Sequence, residues 1–427
     1  MTEAEAAVEA TVPVTLTAVK SRFAVLERVP TLFGLQPSQL RVLARRGRQT
    51  FTPKGTTVVT QGEPGQTMYV VLGGRCELSV SDAPGHSLSL ALLGPGEAFG
   101  EEAAVLEEPR LASVRAVEDS DLLVLDRDAF VPLLGPDSDE MSELRRLVEQ
   151  RKATARLLTA WAPAMNGAGS SQSIAFYSPK GGSGRTTVAL NLAAQLARAH
   201  PAEVLLVDLS LPFNNAALMS NLVPVNSLAQ LAGASPGQFE EALLSALLPH
   251  PAGFLVLSSA MRPEHAELVT PQLVERALDA LKRSFRWLVF DLGPQLSDTT
   301  LSVLERADRV LLLTTPELSA LKDIAELRRI FNDLLRIPPA KVMVALNHRG
   351  PKAAIGRADI ERHLREELVC EFQFEGSKLD EAAIRGEVLS VADARSSMAR
   401  ATAAIAQALS GSKDGQPKAS RRLFGIG

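Results

Sequence analysis

Lys180-Gly181-Gly182-Ser183-Gly184-Arg185-Thr186-Thr187 follows the apolar run Ser173–Tyr177 and opens the apolar-periodic segment Val188–Ala197. Strand, glycine-rich loop and helix in that order make a phosphate-binding loop credible. Glycines let backbone N–H groups converge on phosphate oxygens, and the helix N-terminus adds partial positive charge. Thr186 stands where a hydroxyl would ligate Mg²⁺. Gly181, Gly182, Ser183, Gly184 and Thr187 complete the cradle. The position that ordinarily carries the phosphate-contacting lysine holds Arg185, which keeps the charge as a bulkier planar fork. The loop predicts nucleotide binding with weak or absent hydrolysis.

Working outward, apolar runs alternate with helical patterns from Ser173 on. Strands are predicted at Ile174–Tyr177, Val204–Asp208, Phe254–Ser258, Trp287–Asp291, Val310–Thr314 and Val342–Asn347. They are near-continuous Val/Leu/Ile runs, as strands covered on both faces must be. This predicts a mostly parallel α/β sheet with the nucleotide at its C-terminal edge. Asp291 ends one such strand, where an unpaired carboxylate would be costly; a Mg²⁺ held through water explains it, and capping of the next loop is the alternative. Asn347 ends another. Its amide could meet an adenine edge or simply make a turn.

The N-terminal part has a different texture. Short apolar runs at Thr56–Thr60, Met68–Leu72, Cys76–Val80, Leu88–Leu93, Ala112–Ala116 and Leu122–Leu125 are separated by glycine turns. That pattern predicts a small β-barrel or jelly roll, with helical patterns flanking it at Ser38–Arg45 and Arg127–Leu134. Met141, Leu144, Leu147 and Val148 have helical spacing after Pro136–Asp139, and Leu157, Leu158 and Trp161 follow. That helix either pairs with a partner chain or lies on its own domain. The expected division is a loose segment 1–22, a β domain 23–137, a helical linker 138–172, an α/β domain 173–410 and a polar tail 411–427. The tail ends in Arg421-Arg422-Leu423-Phe424-Gly425, read as a frayed terminus or a small docking tag.

The 427 residues carry a net charge of −4, with 46% hydrophobic and 22% charged residues. This is the balance of an ordinary globular protein and argues against nonspecific nucleic-acid binding as the main role. Two cysteines and six histidines show no disulfide or metal spacing, which fits a reducing cytosol. No signal peptide and no apolar run long enough to span a bilayer is visible.

Residues 173–410 resemble the ParA/MinD class of deviant Walker ATPases, with the CpaE/TadZ branch of pilus-assembly proteins the nearest likeness. The resemblance rests on the loop, on Val289–Pro294, and on the runs Val204–Phe213, Arg262–Val269 and Ala307–Pro316. It implies ATP with Mg²⁺ held at Thr186 and Asp291, and a homodimer in which Lys180 reaches across to the partner's phosphates. Lys180, Arg185, Asp208 and Asp291 become the candidate catalytic set. Two departures fall at the chemistry. Asp208 is followed by Leu209 and Ser210 where the class has a second carboxylate, and Phe213-Asn214-Asn215 replaces the usual Phe-Gly-Asp. Phosphoryl transfer depends on positioned charge and a positioned water, so these losses weaken turnover more than binding.

Residues 23–135 resemble cyclic-nucleotide-binding domains. The stretch Phe99–Ser113 (FGEEAAVLEEPRLAS) aligns without gaps to the phosphate cassette of that family. The resemblance implies Gly100 approaching the sugar-phosphate, Glu101 accepting from the ribose 2′-OH, and Arg110 pairing with the cyclic phosphate. Leu111, Ala112 and Ser113 complete the cassette. Leu111 lacks the hydroxyl that favours cGMP, so cAMP is the ligand implied. Glu102, Glu107 and Glu108 add negative charge that opposes an anion, and pairing of Glu101 or Arg110 with each other or with backbone is the alternative. Together the two resemblances imply a cytoplasmic, dimeric nucleotide switch, polar or peripheral to the inner membrane, that positions a pilus, secretion or other polar assembly. An inactive scaffold is the alternative. No helix-turn-helix follows residue 135, so a transcription factor is not expected.

Overall fold

The computed structural model describes residues 16–27, 29, 32, 35–83, 86–135, 138, 141, 142, 144, 145, 148, 149, 152, 171–224, 226–234, 239–353 and 355–410. The chain forms two compact units, residues 1–163 with 233–247 and residues 164–232 with 248–427.

The first unit is a β-sandwich. Its strands are β1 (Arg48–Thr52), β2 (Thr57–Val59), β3 (Thr67–Gly73), β4 (Cys76–Ala83), β5 (His86–Leu93), β6 (Ala98–Phe99), β7 (Ser113–Ala116) and β8 (Ser120–Asp126). They form two four-stranded sheets, β1-β8-β3-β6 and β2-β7-β4-β5. The six strands expected here are all present. β1 and β6 escaped notice because β1 is polar (RQTFT) and β6 has only two residues. Strand alternation splits β3 and β8 between two faces. Met68, Val70, Leu123 and Leu125 join a layer of helical residues that includes Leu26, Leu40, Leu43, Phe130 and Leu134.

One expectation is corrected here. The segment 1–22 is not loose throughout, because a helix runs from Leu16 to Leu26. Val19 and Phe23 pack on the core, while Arg22 donates to the carbonyls of Ala44 (3.3 Å) and Gly47 (3.0 Å) at the end of the helix Pro37–Arg46. Those are carbonyls that a helix terminus leaves open. Met141, Leu144 and Val148 are buried in the same core, so this part of the linker lies on its own domain. Leu147, Leu157, Leu158, Trp161 and the tail 411–427 fall outside the described residues.

The second unit is built on one eight-stranded sheet. Its strands are β9 (Gln172–Tyr177), β10 (Val204–Leu209), β11 (Leu247–Pro249), β12 (Leu255–Ser258), β13 (Trp287–Leu292), β14 (Arg309–Thr314), β15 (Val342–Asn347) and β16 (Cys370–Phe372). Their order is β11-β12-β10-β13-β9-β14-β15-β16, and the strands from β12 through β16 pair in parallel. β9, which carries the glycine-rich loop, lies among the central strands. The six expected strands are recovered; β11 and β16 are three-residue edge strands, too short to show a period. On one face Ile174, Phe176, Val204, Leu206, Val289 and Leu311 pack with Val188, Leu192 and Leu196 of the helix Arg185–Ala197. Residues on the opposite face, such as Ala175 and Tyr177, are equally buried.

Candidate nucleotide-binding sites

The loop 178–184 joins β9 to the helix Arg185–Ala197, as the sequence requires. Gly182 (φ +70°) and Gly184 (φ +91°) adopt backbone angles that L side chains rarely take. At Gly184 even an alanine Cβ would come within 2.4 Å of the Asn347 amide nitrogen. That nitrogen donates to the Ser183 carbonyl at 2.8 Å. Asn347 is thus a brace for the loop, reaching from the end of β15 with one amide N–H on backbone.

A cavity of about 570 Å³, well within the size range of ligand pockets, opens in front of the loop. Gly182 to Thr187 line one side; Ser210 to Phe213, Asn215, Met219, Pro294 and Gln295 line the other. Gly181 leaves open space at its own Cα. The Thr187 carbonyl accepts from Asn191 inside the helix.

Thr186 and Asp291 come together as expected. The threonine hydroxyl donates to Asp291 Oδ2 at 2.5 Å. Asp291 is fully buried, and its Oδ1 has no hydrogen-bond partner. Burial first, then the neighbouring Asp208, pushes its carboxyl up to about 7. A buried carboxylate oxygen without a partner, on a side chain bonded to a hydroxyl of the glycine-rich loop's helix, is a fit for Mg²⁺. This ion takes few protein ligands and completes its shell with phosphate and water. Thr186 and Asp291 would hold it, and the ion would supply charge neutralisation to phosphate oxygens. Among the described residues no cluster of three or more His, Cys, Asp or Glu could hold a metal alone.

Three candidate catalytic residues turn out to be engaged elsewhere. Arg185 Nη1 donates to the carbonyls of Leu292 (2.6 Å) and Ser178 (3.2 Å) at the strand ends. Burial lowers its pKa while Asp291 pulls the other way. Its charge lies near the site, but the observed donor points at backbone and not into the cradle. Asp208 accepts from the backbone N–H groups of Ser210 (3.0 Å), Asn215 (2.9 Å) and Ala216 (2.8 Å) and from the Ser210 hydroxyl. These bonds organise the loop 209–216. Burial raises its pKa and these donors oppose the rise. Lys180 reaches Glu317 and the Ser319 hydroxyl (3.2 Å) of its own chain. Glu317, Ser319 and Arg349 were not foreseen. The guanidinium of Arg349 lies 3.3 Å from where a Cβ on Gly182 would be. A hint was available, since Glu317 directly follows the run Ala307–Pro316 and Arg349 lies two residues past Asn347.

In the first unit the cassette residues converge around Arg110, which is 5% exposed. Its Nη1 donates to the carbonyls of Thr67 (2.7 Å) and Gly100 (3.0 Å), and Nη2 to the Thr67 hydroxyl (2.9 Å). The guanidinium also sits 5.8 Å from the Tyr69 ring centroid, and Tyr69 stacks on Phe99 at 4.9 Å. Gly100 (φ +78°) makes room for Arg110 itself, because a Cβ there would lie 2.3 Å from Nη1. Glu101 is buried at 4% exposure. Glu102 accepts weakly from the Leu111 N–H at 3.4 Å, and burial, then Glu101, push its carboxyl up to about 7. Ala112 is buried, and the Ser113 hydroxyl accepts from the Gln61 N–H at 3.0 Å. Arg110 and the two glutamates thus lie close enough to act on one another's charge.

Residues 49–136 match the family model described as "Cyclic nucleotide-binding domain", and residues 171–337 that described as "AAA domain". The chain thus carries two matched regions, the first similar to cyclic nucleotide-binding domains and the second to AAA domains. The first is similar to the cyclic AMP receptor protein of Thermus thermophilus, 37% identical over 105 residues, which are 25% of this chain and 49% of the relative. It is also similar to a cAMP-dependent protein kinase regulatory subunit of Aspergillus fumigatus, 36% identical over 118 residues, 28% of each chain. The match thus spans half or less of these relatives' length. The AAA domain shares its fold with a ParA family ATPase from Chlorobium tepidum, at a TM-score of 0.51 and 22% identity, over 56% of this chain and 98% of that one. Among the described residues no helix is long and apolar enough to cross a membrane.

Proposed function

We propose that this chain is an ATP-dependent, homodimeric switch that positions a pilus, secretion or other polar assembly, with its cyclic nucleotide-binding domain as a cAMP-type sensory or docking module. The observation that carries the reading is the Thr186–Asp291 pair beside the glycine cradle, in which Oδ1 of Asp291 is buried without a hydrogen-bond partner. Such an atom is costly in its charged form unless a cation answers it. Lys180, Gly181, Gly182, Ser183, Gly184, Arg185, Thr186, Thr187 and Asn347 form the triphosphate site in this reading. Turnover is slow, because Ser210 stands where a carboxylate would orient water and Asp208 is bound up in its own loop. The CpaE/TadZ likeness supports a pilus or other envelope-associated machine as the cargo. A cytoplasmic protein, polar or peripheral to the inner membrane, fits that role.

The engagement of Arg185 with backbone carbonyls favours a second reading, an inactive scaffold that uses both folds for docking. One sample separates the two. ATP binding, ATP hydrolysis and oligomeric state are measured with and without cAMP. ATP-dependent dimers with slow hydrolysis support the switch; no ATP affinity leaves the scaffold.

A further inference from the structure

The phosphate cradle has a missing cation. Arg185 occupies the position of the phosphate-contacting lysine, yet its Nη1 is taken up by the Ser178 and Leu292 carbonyls. A cradle that holds a triphosphate still needs a positively charged donor, because backbone N–H groups carry only partial charge. Arg349 is the group that the fold places to serve. It follows Asn347 by two residues at the end of β15, so the brace that fixes the loop also fixes its position. Its Nη1, Nη2 and Cζ lie 3.3, 3.5 and 3.6 Å from the Cβ position of Gly182, so the whole guanidinium lies across the second glycine of the loop. The side chain is exposed and has no hydrogen-bond partner among the described residues, which leaves its five N–H donors available. Across the loop Glu317 holds Lys180 and is also attracted by Arg349.

We propose that Arg349, and not Arg185, supplies the charged donor to the phosphates of the bound nucleotide. This rests on the nucleotide-binding reading above. The replacement of the phosphate-contacting lysine by Arg185 is then compensated from a different strand and does not abolish affinity. The planar fork of an arginine suits two phosphate oxygens at once.

The test uses the full chain with Mg²⁺ and two probes, ATP and inorganic tripolyphosphate, titrated by calorimetry into the native protein, Arg349→Ala and Arg349→Lys. Arg349→Ala is expected to weaken both probes by about tenfold or more and to a similar degree, with Arg349→Lys recovering part of the loss. Equal ATP affinity in the native protein and Arg349→Ala overturns the assignment and leaves the nucleotide site standing. A loss for ATP with none for tripolyphosphate also overturns it, because Arg349 would then meet the base or ribose. A native protein that binds neither probe overturns both the assignment and the switch.

Discussion

Asp208 and Asp291 are register partners on the neighbouring parallel strands β10 and β13, both fully buried, and their carboxylates meet opposite fates. Asp208 collects four donors from the loop that follows it, whereas Asp291 has one, the Thr186 hydroxyl, on one oxygen only. The same residue type at the same height in the sheet is thus a loop organiser in one strand and a carboxylate with one open oxygen in the next.

The contrast sets a pH dependence. An Asp291 carboxyl raised to about 7 binds its proton more tightly in the folded than in the unfolded chain, where its pKa is near 4. The associated stability is fully present below about pH 4 and is lost as pH rises toward 7, by an amount on the order of a few kcal/mol. Melting temperature without nucleotide should therefore fall between pH 5 and pH 8, less steeply in Asp291→Asn. Mg²⁺ with ATP should restore stability at pH 8 in the native protein and not in the variant. A variant that gains as much from Mg²⁺ and ATP as the native chain would remove Asp291 from the metal site.

Asn347→Ala strips the Ser183 carbonyl of its amide partner, a loss of about 1 kcal/mol or more. If the brace is the main role, ATP and GTP affinities should fall by the same factor, and hydrogen exchange at residues 181–184 should quicken. A loss confined to ATP would show that the amide reads adenine.

Glu102 is expected to oppose the cyclic nucleotide only when ionised. Its carboxyl, at about 7, faces Glu101 and Arg110 in the cassette. Raising the pH from 6 to 8 should weaken cAMP binding in the native domain, since a carboxylate then stands beside an anionic ligand. Glu102→Gln should flatten that profile. A native affinity independent of pH in this window would show that the ligand does not approach Glu102.

Arg110→Ala should weaken cAMP by roughly thirtyfold, the loss of about 2 kcal/mol of charge-assisted hydrogen bonding. The glycines at 65 and 100 leave space that only this side chain fills, so melting should be followed in parallel. Unchanged cAMP affinity in a folded variant contradicts the phosphate contact.

Arg185→Lys should raise ATP hydrolysis only modestly. Ser210 still lacks a carboxylate, and the Asp208 oxygens remain bonded to their own loop. Turnover at the level of fully equipped relatives in that single variant would show that Ser210 is not the limiting defect.

Fold was more legible than site. Runs such as Val204–Asp208 and Trp287–Asp291 announce buried strands through composition alone, and the glycines of 181–184 announce their loop through the backbone angles that they permit. Thr186 and Asp291 could be paired from motif and strand end. What stayed hidden was the choice each polar head makes among nearby acceptors. Arg185 reads as a phosphate ligand until the carbonyls of Ser178 and Leu292 are placed beside it. Arg349 carries no motif and becomes visible only when β15 brings it over Gly182. The helix Leu16–Leu26 was missed for a related reason, since its register is fixed by Arg22 against carbonyls more than twenty residues away.

The contact between Lys180 and Glu317 has a bearing on how two copies could meet. Both side chains are well exposed to water, at 35% and 47%, so their attraction is screened and easily surrendered. The lysine is parked rather than locked, its long stem already oriented near the mouth of the loop. A stronger anion at the same place would take the amine over.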